Sequence, residues 1–321
     1  QVGKVESLCL DGLTLITDTQ AESLSQVRRL QLKGLTSITD KQAEILSRNA
    51  KLELNGLTSI TDMQAEILST VRYLVLNGLT SVTDKQVETF SKVKFLSLYG
   101  LTSLSDQQAK SLSMVEDLKI SEACREQIKL YQQKIVDKIN SSGNITDEQA
   151  KSLSTVEELS LNGLTSITDE QLEFLSQVEH LSLKGLTSIT DMQAEILSRN
   201  GSLELNGLTS ITNVQAESLG KLDELWLNGL TSINDEQAES LGNSDYVLEL
   251  NGLTSINDEQ AKGLANLTFN LQLNGLTSLT DEQVEILSNY RARRVLGLDG
   301  LTSITDKQAE ILRKVRDLQL N

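Results

Sequence analysis

The chain has 321 residues, with 45 Asp and Glu against 29 Lys and Arg, for a formal net charge of −16. So acidic a chain repels phosphate backbones, which argues against a general nucleic-acid binder. Apolar residues make up 38% but aromatics only 3%, so the core must be aliphatic.

No apolar run approaches the roughly 18 residues that span a bilayer, and no basic start followed by an apolar core marks a secretory leader. Membrane insertion is therefore not expected. The chain opens on Gln1 rather than methionine, which reads as a processed product or a fragment. Cys9 and Cys124 lie too far apart to define a disulfide framework or a metal site.

Taken in chain order, the sequence is a repeat. Gly-Leu-Thr begins at Gly12 and returns at Gly34, Gly56, Gly78 and Gly100, each time after 22 residues. The strand core Leu118–Ile120 then leads into a break, because Val115 and Val156 stand 41 residues apart, one repeat plus 19 residues. Within 121–139, Cys124, Ile128, Tyr131, Ile135 and Ile139 recur at helical spacing and predict an inserted helix. Its stripe is expected to pack on the convex side, and Cys124 reads as a small buried apolar residue. Leu130 and Val136 fall off the stripe and leave a docking role open. The period resumes at Gly163, Gly185, Gly207 and Gly229, and then lengthens to reach Gly252, Gly275 and Gly300.

One unit, Val156 to Gln177, shows what each position does. Leu159 and Leu161 share one face of a short strand while Ser160 points to the other. Asn162-Gly163 reads as a turn, the glycine taken for its tolerance of unusual backbone angles. Thr168 and Gln171 form a capping box, and Asp169 and Glu170 suit the positive end of the helix that follows. Leu172, Leu175 and Val178 keep its inward face. No coil of this kind buries its own apolar side, so neighbours must stack.

This spacing, VxxLxLxxLxxIT followed by D-x-x-x-x-x-L, resembles the leucine-rich repeat. It is similar to the type with an Ile-Thr-Asp step, in which cysteine often takes the place of Leu164, and to long arrays of planctomycete-like bacterial proteins. The resemblance covers nearly all of 1–321 and implies a single α/β solenoid. That solenoid would be a horseshoe with about 14 short parallel strands on its concave side and short helices on its convex side. Both ends lack polar caps, which implies further sequence or a partner covering them.

The frame Gly-Leu-Thr-Ser-Ile-Thr-Asp barely changes between repeats, whereas the outward strand positions vary freely. Adjacent repeats then create two patches. The first joins Arg28, Arg29, Lys51, Arg72, Tyr73, Lys94, Phe95 and Tyr99, the arginine and aromatic chemistry of binding hot spots. The second gathers Glu157, Glu158, Glu179, Glu204, Asp223 and Glu224 around His180 and the only tryptophan, Trp226. It reads as solvated charge around a ring, with a basic partner as the sharper alternative. The asparagine before most of the glycines is expected to shape the turn.

Catalytic chemistry is not prominent. His180 is the only histidine, and with two cysteines it supplies no zinc set. The glycines stand singly at repeat spacing rather than in a phosphate-cradling loop. The expectation is a non-enzymatic scaffold without cofactors that binds a protein partner on its concave face. The alternative is a structural or fibre protein assembling end to end. Compartment stays open between the two sides of a membrane, with the cell surface or secretion favoured.

Overall fold

The computed structural model describes residues 6–267, 269–288, 295–315 and 317–319. Among the described residues fourteen strands, the number expected from the sequence, are each followed by a helix except the last, with two helices in succession after the sixth, in an α/β array of strand–turn–helix coils. The strands lie in two parallel sheets. One holds β1 (Ser7–Cys9), β2 (Arg29–Gln31), β3 (Lys51–Glu53), β4 (Tyr73–Val75), β5 (Phe95–Leu98) and β6 (Asp117–Ile120) in sequence order. The other holds β7 (Glu158–Ser160), β8 (His180–Ser182), β9 (Ser202–Glu204), β10 (Glu224–Trp226), β11 (Val247–Glu249), β12 (Asn270–Gln272), β13 (Val295–Gly297) and β14 (Asp317–Gln319). Two compact units result, 1–135 and 136–321, and the division falls within the helix Glu122–Ser142.

Register follows the repeat. Leu30 pairs with Leu8 and Leu52, and Leu203 with Leu181 and Leu225. The paired leucines of successive strands, such as Leu30 and Leu32 or Leu203 and Leu205, are fully buried. At roughly 25 cal/mol per Å² of apolar surface removed from water, this aliphatic column is the main favourable contribution.

The short helices begin as expected. Thr168 Oγ1 accepts from the Gln171 amide at 3.2 Å, and Gln171 Oε1 accepts from the Thr168 amide at 3.0 Å. A second use of the same glutamine is new. Gln171 Nε2 donates to the Ile145 carbonyl at 3.1 Å, and Gln64, Gln193 and Gln237 reach Ile38, Ile167 and Ile211 in the same way. One side chain thus caps its own helix and ties it to the preceding coil.

Two expectations about the turn need correction. Among the described glycines only Gly143 has a positive φ, of 73°. The repeat glycine is instead required by close approach: a Cβ at Gly78 would stand 2.1 Å from the Asn55 carbonyl oxygen and 2.6 Å from that of Leu57. The preceding asparagine does more than shape its own turn. Asn55 Oδ1 accepts from the Asn77 amide in the first unit, and in the second Asn206, Asn228 and Asn251 form a ladder of the same kind at 2.9 Å per step.

The inserted helix spans Glu122–Ser142, longer than 121–139 at its C-terminal end. Cys124 and Ile139 are fully buried, while Leu130 is 59% exposed. Its N-terminal part joins the first core through Cys124 and Ile128. Ser121 Oγ donates to the Leu101 carbonyl, and Gln127 Oε1 accepts from the Leu104 amide. At its other end, Asn140 Oδ1 accepts from the Gly163 amide at 2.8 Å, taking the ladder position for the second unit.

Candidate functional site

The first sheet sets its outward residues into two parallel ladders. Ser7, Arg29, Lys51, Tyr73, Phe95 and Asp117 are paired in register before the inward-facing strand leucine. Cys9, Gln31, Glu53, Val75, Ser97 and Lys119 are paired after it. The second ladder is less open than the sequence implies. Glu53, Val75 and Ser97 are buried, because their neighbours close over them. Ser97 Oγ donates to Asn77 Oδ1 at 2.7 Å, and Glu53 takes Lys51 at 3.0 Å and Lys33 at 3.7 Å. Contact surface comes chiefly from the first ladder and the residues just before it.

There the first patch assembles around a groove of about 660 Å³, lined by Arg28, Arg29, Lys51, Arg72, Tyr73 and Phe95, with Ala50 and Asp117 completing it. The Tyr73 and Phe95 rings lie 5.7 Å apart at 34°, and the Arg72 guanidinium stands 5.6 Å from the Tyr73 ring centre. Lys94 and Tyr99 stand outside the lining. Lys94 pairs with Glu116 at 2.9 Å, and Tyr99 is 53% exposed beyond the aromatic pair.

Neutralisation within the groove is uneven. Arg28 is 3.7 Å from Glu6, Lys51 is 3.0 Å from Glu53, and Lys119 draws Asp117 to 3.2 Å. Among the described residues Arg29 and Arg72 have no carboxylate within ion-pair distance, and both are exposed. Two guanidinium groups and two tilted rings are therefore left open in a chain of net charge −16.

His180 and Trp226 belong to the second unit and line a smaller groove of about 280 Å³ with Glu158, Ser202, Glu204 and Glu224. Ser202 is buried and forms floor rather than surface. Glu204 is held by Lys184 at 3.0 Å, and His180 lies 4.0 Å from Glu179. Tyr246 and Phe269 form a second aromatic pair, not among the residues expected from the sequence, with rings 5.1 Å apart and 48% and 44% exposure. Their signal was available, because both occupy the position two before a buried strand leucine, as Arg72 does.

Cys9 is exposed beside Asp11, whose carboxylate takes the thiol hydrogen bond and pushes the Cys9 pKa up. The same bond holds Asp11 below the usual carboxylate range. Among the described residues no three His, Cys, Asp or Glu side chains gather as metal ligands. No described helix is long and apolar enough to cross a membrane.

No protein-family model matches the sequence, and no curated protein matches it significantly. Among solved structures the chain is similar to an internalin from Listeria monocytogenes, at 18% identity and a TM-score of 0.43, covering 99% of this chain and 87% of that one. It is also similar to the Rad7 and Elc1 complex of yeast, at 15% identity and a TM-score of 0.40, covering 97% and 90%. Both scores are too low to assign a family or a function.

Proposed function

We propose that the chain is a leucine-rich-repeat array of the bacterial Ile-Thr-Asp type, and that it works as a non-enzymatic recognition scaffold for a protein partner. The observation that carries this reading is the groove of the first unit. A nearly constant frame uses its hydrogen bonds to hold coils together, while the varied positions collect Arg29, Arg72, Tyr73 and Phe95 in one open place. Arginine and aromatic clusters of this kind dominate binding energy at protein interfaces.

The test is selection from a random-peptide display library on the wild-type chain, followed by challenge with Arg72→Ala/Tyr73→Ser. The expected result is enriched binders that lose at least tenfold in affinity against the variant, whose melting temperature matches wild type. Binders that ignore the double substitution would refute this surface. Light scattering over a hundredfold concentration range tests the alternative of end-to-end assembly. Growth of oligomers that persists in the double variant would favour that alternative.

A further inference from the structure

We infer that the partner presents an acidic polypeptide segment to this groove, with two carboxylates for Arg29 and Arg72 and an apolar side chain for the Tyr73–Phe95 pair. The inference rests on the recognition reading above and specifies its partner's chemistry. It begins from the local charge balance. Of the cations around the groove, Arg28, Lys51 and Lys94 each have a carboxylate of their own chain within 3.7 Å. Arg29 and Arg72 have none among the described residues, and the Arg72 guanidinium lies 5.6 Å from the Tyr73 ring centre. A guanidinium without a carboxylate of its own can take one bidentately.

The geometry sets a spacing. Arg29 stands on β2, and Arg72 immediately precedes β4, so two strand separations lie between them, roughly 10 Å. An extended chain covers that distance in about three residues. Tyr73 adjoins Arg72 at the start of β4, and Phe95 stands one strand farther on, paired with Tyr73 in register. A leucine or aromatic side chain set about one or two residues beyond the second carboxylate would bury itself there.

The same surroundings select a peptide over a nucleic acid. Asp117 lines the groove, and Glu6 and Glu116 lie within 3.7 Å of Arg28 and Lys94 beside it. A continuous phosphate backbone, with a charge every few ångströms, would meet these carboxylates as well as the two arginines. A peptide bearing two separated carboxylates avoids them. The distant acidic residues that give the chain its net charge of −16 are screened beyond about 8 Å at physiological salt, so the local arginines govern contact.

The experiment is a peptide array probed with the full chain. Twelve-residue peptides carry two glutamates at separations of one to six residues, followed by leucine, with matched peptides in which lysine replaces glutamate or serine replaces leucine. Heparin and a single-stranded oligonucleotide are run beside them in solution. We expect the strongest binding at a separation near three, a loss of at least tenfold in Arg29→Ala and in Arg72→Ala, and weakening by added salt. Lys85→Ala, in the helix Asp84–Phe90, should bind as wild type.

Groove-dependent binding of uncharged or lysine peptides would overturn the acidic partner while leaving recognition by this surface intact. If no peptide of any composition binds in a groove-dependent way, both readings fail. Groove-dependent binding of heparin or the oligonucleotide in place of peptides overturns the polypeptide assignment. Self-association that Arg29→Ala and Arg72→Ala abolish would make a second copy of this chain the occupant and also overturn it.

Discussion

Gln193 offers the sharpest test of how the coils are joined. Its Oε1 accepts from the Thr190 amide at 3.0 Å, and its Nε2 donates to the Ile167 carbonyl at 2.9 Å, one coil away. The side chain is buried. Gln193→Ala removes a cap bond at exposed Thr190, where water can take its place, and leaves the half-buried Ile167 carbonyl without its donor, together about 2 kcal/mol; alanine's better helix propensity returns a few tenths. A net loss of about 2 kcal/mol follows, or roughly 4–8 °C in Tm for a unit of this size.

Gln193→Glu separates the two roles. A glutamate still accepts from Thr190 and is an ordinary capping-box residue, but as a carboxylate it cannot donate to Ile167. Facing a carbonyl in a buried place, its folded-state pKa is raised above the usual value of about 4.3. The destabilisation relative to wild type is therefore complete above the raised folded pKa and shrinks as pH falls toward 4.3. Below that, the protonated acid donates to Ile167 and the difference vanishes. Thermal unfolding of wild type and both variants between pH 4 and pH 7 measures this. A Gln193→Glu chain as stable as wild type at pH 7 would refute the bond between coils and leave capping as the whole reason for the glutamine.

Other substitutions probe the remaining claims. Gly78→Ala places a methyl group 2.1 Å from the Asn55 oxygen, and because both obstructing atoms are backbone, the strain should cost about 1–3 kcal/mol or more; an unchanged urea midpoint would contradict it. Cys9, pushed up by its hydrogen bond to Asp11, should react with maleimide at pH 8 more slowly than a free thiol, since less of it is thiolate. Asp11→Asn should speed that reaction, and equal rates would show that the carboxylate does not control the thiol. Cys124, fully buried, should label only on unfolding.

Much of the architecture follows from sequence because it depends on contacts a few residues apart. The alternation at Leu159 and Leu161, the capping pair Thr168 and Gln171, and the helical stripe of Cys124, Ile128 and Ile139 are local patterns, and each forms as its spacing dictates. The outward ladder of Arg29, Lys51, Tyr73 and Phe95 was legible too, since a constant period brings equivalent positions side by side.

Tertiary structure alone decided what depends on atoms 20 or more residues apart. A glycine in a turn suggests backbone freedom, but the repeat glycine is required by the Asn55 carbonyl 2.1 Å from where a Cβ of Gly78 would sit. Local spacing reveals the glutamine as half of a cap, and only the fold sets the Ile167 carbonyl beside the Gln193 amide. Which cations stay open could not be read from composition, because pairing depends on whether a neighbouring coil's carboxylate lies within reach. Glu6 reaches Arg28 and Glu116 reaches Lys94, while Arg29 and Arg72 are left to something outside the chain. Sequence period determined the frame, and the packing of one coil on the next determined which of its groups remain unspent.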